Sequence, residues 1–128
     1  MSPYEDQLII HRREKASNML EDARLLFERK RYFSCVNRIY YACFYEITAL
    51  MIKDDFKSSK HTGVKSFFMQ QYVKTGKVAG EWGSFYAEIF KYRHDSDYKD
   101  FVQFDDQSVM EWLDKAQEFI QTLEKFFG

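Results

Sequence analysis

Apolar residues recur at intervals of three and four along most of the chain, the spacing that lines side chains up on one face of an α-helix. In the first such stretch Leu8, Ala16, Met19, Leu20, Ala23, Leu26 and Phe27 share a face. Ser2-Pro3-Tyr4-Glu5 stands just before it. Ser2 is suited to cap, Pro3 sits where a missing N–H costs nothing, and Glu5 completes a capping box, so a long helix is predicted to run to about Lys30. Phe33, Val36, Asn37, Tyr40, Phe44, Ile47 and Met51 mark a second helix, and the short connection predicts an antiparallel pair. The polar stretch Asp54 to Lys60 reads as a loop. Val64, Phe67, Phe68, Gln71 and Tyr72 mark a shorter third helix that stops near Gly76. A fourth begins near Gly80, presents Trp82, Phe85, Tyr86, Ile89 and Phe90, then turns polar at Arg93-His94-Asp95-Ser96-Asp97-Tyr98. Asp105 and Asp106 offer caps for a fifth, whose face is Val109, Trp112, Ala116, Phe119, Ile120, Leu123 and Phe127.

The only strand-like pattern is Phe101-Val102-Gln103-Phe104, too short and without a partner to make a sheet. It reads as an extended connector that buries Phe101 or Phe104. The predicted fold is therefore all-α: an antiparallel up-and-down bundle of four long helices and one shorter one, a single domain over residues 1–128. The hairpin carrying Tyr40-Tyr41-Ala42 has no second copy at a tetratricopeptide period, which excludes a solenoid.

Composition sharpens this picture in two places. Thirteen Phe and nine Tyr against one Pro and five Gly mean a large aromatic core and few breaks in the helices. Nineteen basic and twenty acidic residues give a net charge of −1, which argues against a generic polyanion binder. A local basic run (Arg24, Arg29, Lys30, Arg31, Arg38) remains, and such runs are usually solvated surface. Cys35 and Cys43 lie eight residues apart on one predicted helix, roughly 12 Å, too far for a disulfide. They read as small buried hydrophobes of a reducing compartment. No signal peptide and no membrane-length apolar run is present, so a cytoplasmic location is expected, with no membrane contact.

No Gly-rich phosphate loop, CxxC pair or HExxH motif occurs, and His11, His61 and His94 stand at spacings that suit no common metal site; neither metal nor cofactor is expected. What remains is the polar end of the fourth helix. Arg93 and Asp97 are four apart and share a face if the helix continues. They form either an ordinary surface ion pair or a rigid mount, in which Asp97 holds the guanidinium fork ready for a phosphate.

Four blocks in order resemble the HEPN superfamily, in particular its small stand-alone prokaryotic members. They are Asn37-Arg38-Ile39-Tyr40-Tyr41-Ala42-Cys43-Phe44, Lys60-His61-Thr62-Gly63-Val64, Tyr72-Val73-Lys74-Thr75-Gly76 and Tyr92-Arg93-His94-Asp95-Ser96-Asp97-Tyr98. The resemblance implies a helical bundle that dimerises and that is frequently paired with a minimal nucleotidyltransferase in a two-gene toxin–antitoxin arrangement. It also implies, for many members, metal-independent ribonuclease chemistry from an Arg followed, after four to six intervening residues, by His. There the His takes a proton from a ribose 2′-hydroxyl and the Arg stabilises charge building on phosphorus.

Here the chain departs from the pattern. Arg93 matches, but the positions for His hold Tyr98, Lys99 and Asp100, and His94 points about 100° away from its neighbour. Tyr98, with an ordinary pKa near 10, is a weak base at neutral pH. The expected function is thus a nucleotide-, RNA-phosphate- or partner-binding module, with Arg93, Asp97, Tyr98, Arg38 and Tyr41 as binding residues. The alternative is a ribonuclease toxin that uses Arg93 with His61 or Tyr98, if His61 approaches Arg93 across the bundle. A third reading is a non-catalytic helical adaptor.

Overall fold

The computed structural model describes all of residues 1–128. Five α-helices and no strand make up the chain: α1 (Pro3–Glu28), α2 (Tyr32–Lys53), α3 (His61–Phe68), α4 (Gly80–Tyr98) and α5 (Asp106–Glu124). The boundaries follow the chemistry of their ends. The Ser2 hydroxyl accepts from the Glu5 N–H at 3.1 Å while the Glu5 carboxylate accepts from the Ser2 N–H at 3.2 Å, a complete capping box with Pro3 just inside it. Asp105 caps α5 by accepting from the Ser108 N–H at 2.8 Å.

Only Arg29, Lys30 and Arg31 separate α1 from α2, and the two helices run antiparallel. Their cross-contacts Ala23–Cys35, Asp22–Arg38 and Arg13–Glu46 step in opposite directions along the pair. The α2 helix is the axis of the bundle. Twelve of its 22 residues are buried, and it packs against each of the other four helices. One continuous core of 25 buried residues draws on all five. Cys35 and Cys43 are free thiols within it, and Cys35 Sγ donates to the Ala23 carbonyl.

Two details depart from the simple helical pattern. After Phe68 the chain widens into a π turn over Met69–Val73, closed by Lys74 N–H donating to the Met69 carbonyl five residues back. This leaves Gln71 half-buried, where regular spacing predicts a core position, and turns Tyr72 fully inward. The Tyr72 hydroxyl there donates to Asp54 at the end of α2. Gly83 lets α4 approach this turn, because a Cβ at position 83 would stand 3.1 Å from both methyls of Val73. In the connector after α4 the choice between two aromatics is resolved. Phe104 is half-buried against Phe33, Tyr92 and Trp112, whereas Phe101 is 99% exposed. No helix is long and apolar enough to cross a membrane.

Candidate functional site

The apolar stripe of α4 runs Trp82, Phe85, Tyr86, Ile89, and its next position is Arg93. The arginine is therefore carried toward the core although the sequence around it is polar, and only 8% of it is exposed. A buried guanidinium requires partners, and this one has two. Nη1 donates to Asp97 Oδ2 at 3.0 Å, one turn along the same helix. Its Cζ also lies 5.0 Å from the centre of the Tyr40 ring, within the range of a cation–π contact. Nε is buried and has no hydrogen-bond partner. A strong donor in that state is uncommon in folded proteins.

Tyr40, from the middle of α2, ties this arginine to His61. Its ring is fully buried among Tyr41, Phe44, Tyr86 and Phe90, and its hydroxyl lies 2.8 Å from His61 Nδ1. The Tyr86 hydroxyl donates to it at 3.5 Å. Burial pushes the Tyr40 phenol up to about 12, opposed by the Tyr86 hydrogen bond and the nearby Arg93 charge, so it stays protonated at neutral pH. His61, in the first turn of α3, also packs its ring 4.9 Å from Phe44 and 5.8 Å from Tyr41. Desolvation and then the Arg93 charge lower its pKa, with Asp97 pulling the other way, so the imidazole is neutral at pH 7. Where the Tyr40 hydroxyl donates to Nδ1 the ring proton sits on Nε2; where it accepts from Nδ1–H, Nε2 carries the free lone pair.

Arg93, His61 and Tyr41 thus gather around Tyr40, and Asp97 joins them through Arg93. Arg38 stands to one side: its Nη1 donates to Asn37 Oδ1 at 2.6 Å, its Nε is 4.0 Å from Asp22, and it shares with Asp97 an open groove between α2 and α4. Tyr98 does not join them. It is 74% exposed at the last turn of α4 and packs on His94, 4.8 Å between ring centres. The sequence reading missed Tyr40, because helical spacing alone makes it one more core aromatic. The signal for it was the hydroxyl itself, since a Tyr in the middle of a buried face needs a polar partner. No three His, Cys, Asp or Glu side chains stand together as a metal site.

A family model described as HEPN domain matches residues 11–126. The chain is similar to a UPF0332 protein of Thermotoga maritima, 42% identical over 120 residues that cover 94% of this chain and 91% of that one. It is also similar to two proteins of Methanocaldococcus jannaschii that carry the name putative toxin. One is 29% identical, with 88% of this chain and 77% of the relative covered; the other is 33% identical, with 66% and 63% covered.

Proposed function

This chain belongs to the HEPN domain family, and from that premise we propose that it is a toxin-type HEPN protein that binds RNA or nucleotide phosphate through Arg93 without strong catalysis of its own. The naming of two relatives as toxins supports the first half of this reading. The second half rests on a single observation, the buried guanidinium whose Nε has no partner. Asp97 and the Tyr40 ring hold the fork still, so little side-chain entropy is lost when a phosphate oxygen docks. A neutral His61 whose Nδ1 accepts from Tyr40 would offer Nε2–H as a second donor to the phosphate. A minimal nucleotidyltransferase as partner fits the same family reading. So does a homodimer, with Tyr98 and Phe101 as exposed aromatics beside the site for a second copy to cover.

The test is fluorescence anisotropy of labelled single-stranded RNA with the full chain at low salt. Arg93→Ala is expected to weaken binding by about tenfold or more, the scale of a charge-assisted contact of roughly 1.5–3 kcal/mol. Unchanged affinity in a folded Arg93→Ala protein overturns the reading.

A ribonuclease is the second reading, favoured by one fact: Arg93 and His61 touch opposite parts of the same tyrosine. If the hydrogen-bond chain runs the other way, from His61 to Tyr40 to Tyr86, Nε2 becomes a base. RNA cleavage that disappears in both Arg93→Ala and His61→Ala selects this reading over binding alone.

A further inference from the structure

We propose that the outer face of α3, with the loops on either side of it, is a docking surface for an acidic amphipathic helix of a partner protein. It uses neither Arg93 nor Asp97, so the inference does not rest on the phosphate-binding reading above.

Charge is segregated along this chain. Between Asp55 and Glu81 stand Lys57, Lys60, Lys65, Lys74 and Lys77, and no Asp or Glu. The whole chain carries −1, so a segment of +5 leaves −6 for the remainder. Elsewhere basic side chains find carboxylates: Arg13 meets Glu46, Lys53 meets Asp54, Arg93 meets Asp97 and Lys99 meets Asp95. None of the five lysines around α3 forms an ion pair. Cations left uncompensated on one face favour an acidic partner over a neutral or basic one.

The shape of the face suits a helix. Thr62 and Ser66 of α3 and Gln70 of the π turn, each four residues from the next, are exposed and make a low ridge. A groove runs along each side of it. One, about 260 Å³, has Met51, Phe56 and Phe67 as its apolar lining. The other, about 360 Å³, has Met69 and Phe90. Ser66 and Gln70 border both. A low ridge between two grooves seats a second helix by interdigitation, with apolar anchors in the grooves and carboxylates meeting the lysines at the rim.

The aromatic rings here are arranged against a nucleic acid as the occupant. Lys65 Nζ stands 4.8 Å from the centre of the Phe90 ring and Lys77 Nζ 5.0 Å from that of Tyr72. The protein's own cations thus cover the faces on which bases would stack. Phe56, 43% exposed and tilted 61° to Phe67, is left as a single platform, whereas single strands are held by stacking successive bases.

The probe is a fluorescein-labelled synthetic peptide with the sequence of residues 105–124, an amphipathic segment with six carboxylates and one ammonium. In the folded chain α5 keeps its apolar face in the core, so the free peptide presents what the protein's own α5 does not. Anisotropy with the full chain measures its affinity, which is expected to exceed that of a poly-glutamate peptide of the same length. The triple variant Lys57→Gln/Lys60→Gln/Lys74→Gln changes three exposed lysines that touch no ring, and should weaken binding about tenfold, the sum of three exposed charge pairs. Ser66→Trp, which fills both grooves from an exposed position, should weaken it as much, an effect that charge attraction alone would not show. Carbodiimide coupling of the peptide's carboxylates should fall on the lysines around α3 and not on Lys15 or Lys115. Affinity no better than that of poly-glutamate, or unchanged in both variants, overturns the proposal. So does a labelled single-stranded RNA that loses as much affinity as the peptide in the triple variant, which would make this a nucleic-acid surface. Self-association of the wild type that the triple variant abolishes also overturns it, since the occupant would then be a second copy.

Discussion

Tyr40 joins two residues that the chain keeps far apart, and a single oxygen does the joining. Its hydroxyl is the partner of His61 Nδ1 and the acceptor for Tyr86. Tyr40→Phe keeps the ring under Arg93 but leaves both partners without it. A loss of about 1–3 kcal/mol is expected, the cost of leaving buried polar groups unpaired, measured by urea denaturation beside the wild type. If stability is unchanged, the hydroxyl is not holding His61. How legible this site was in the sequence differs residue by residue. Arg93 and Asp97 could be paired from spacing alone, because both lie on one helix. The contact of His61 with Tyr40 spans 21 positions and two elements, so no local pattern encodes it. Tyr98 entered the reading through its motif neighbours, yet at five residues from Arg93 it falls off the shared face and out into solvent.

The helices themselves were readable because their signals are local: caps at Ser2 and Asp105, apolar periods between, and few breakers. The π turn was not, since one extra residue in a turn leaves the composition unchanged and shifts only which side chains face inward. The turn that follows it depends on Gly76, which has φ +79° and open space around where a Cβ would be. That combination isolates the backbone effect. Gly76→Ala should cost about 1–2 kcal/mol, the left-handed penalty for an L-residue, with no contribution from a clash. A thermal-melt comparison of the two proteins checks it, and an unchanged or raised Tm would mean that the turn relaxes to negative φ at no cost.

Across the whole molecule, the most demanding buried charge lies away from the site. Glu46, in the middle of α2, is 1% exposed. Arg13 of α1 donates to it from Nε at 3.0 Å, with Glu124 of α5 3.7 Å from Arg13 Nη2 and the Phe127 ring 4.3 Å from its Cζ. One arginine thus ties the first helix, the central helix and the chain's end. Desolvation is the larger influence on Glu46 and raises its pKa from 4.5 to about 6; the Arg13 hydrogen bond and charge act against it, and Glu124 adds to the rise. A carboxyl whose folded pKa is raised contributes stability that is fully present below its unfolded value near 4.5. That contribution fades as pH climbs through about 6, because the folded state must then give up a proton it holds more tightly than the unfolded chain does. The shift corresponds to roughly 2 kcal/mol. In a Glu46→Gln protein this contribution disappears, so the stability of wild type relative to variant should fall by about that amount between pH 4.5 and 7.5. Chemical denaturation of both proteins at several pH values measures the difference. A relative stability that instead rises with pH would mean that the Arg13 pairing outweighs burial, and that the three-way tie is held by charge more than it is strained by it.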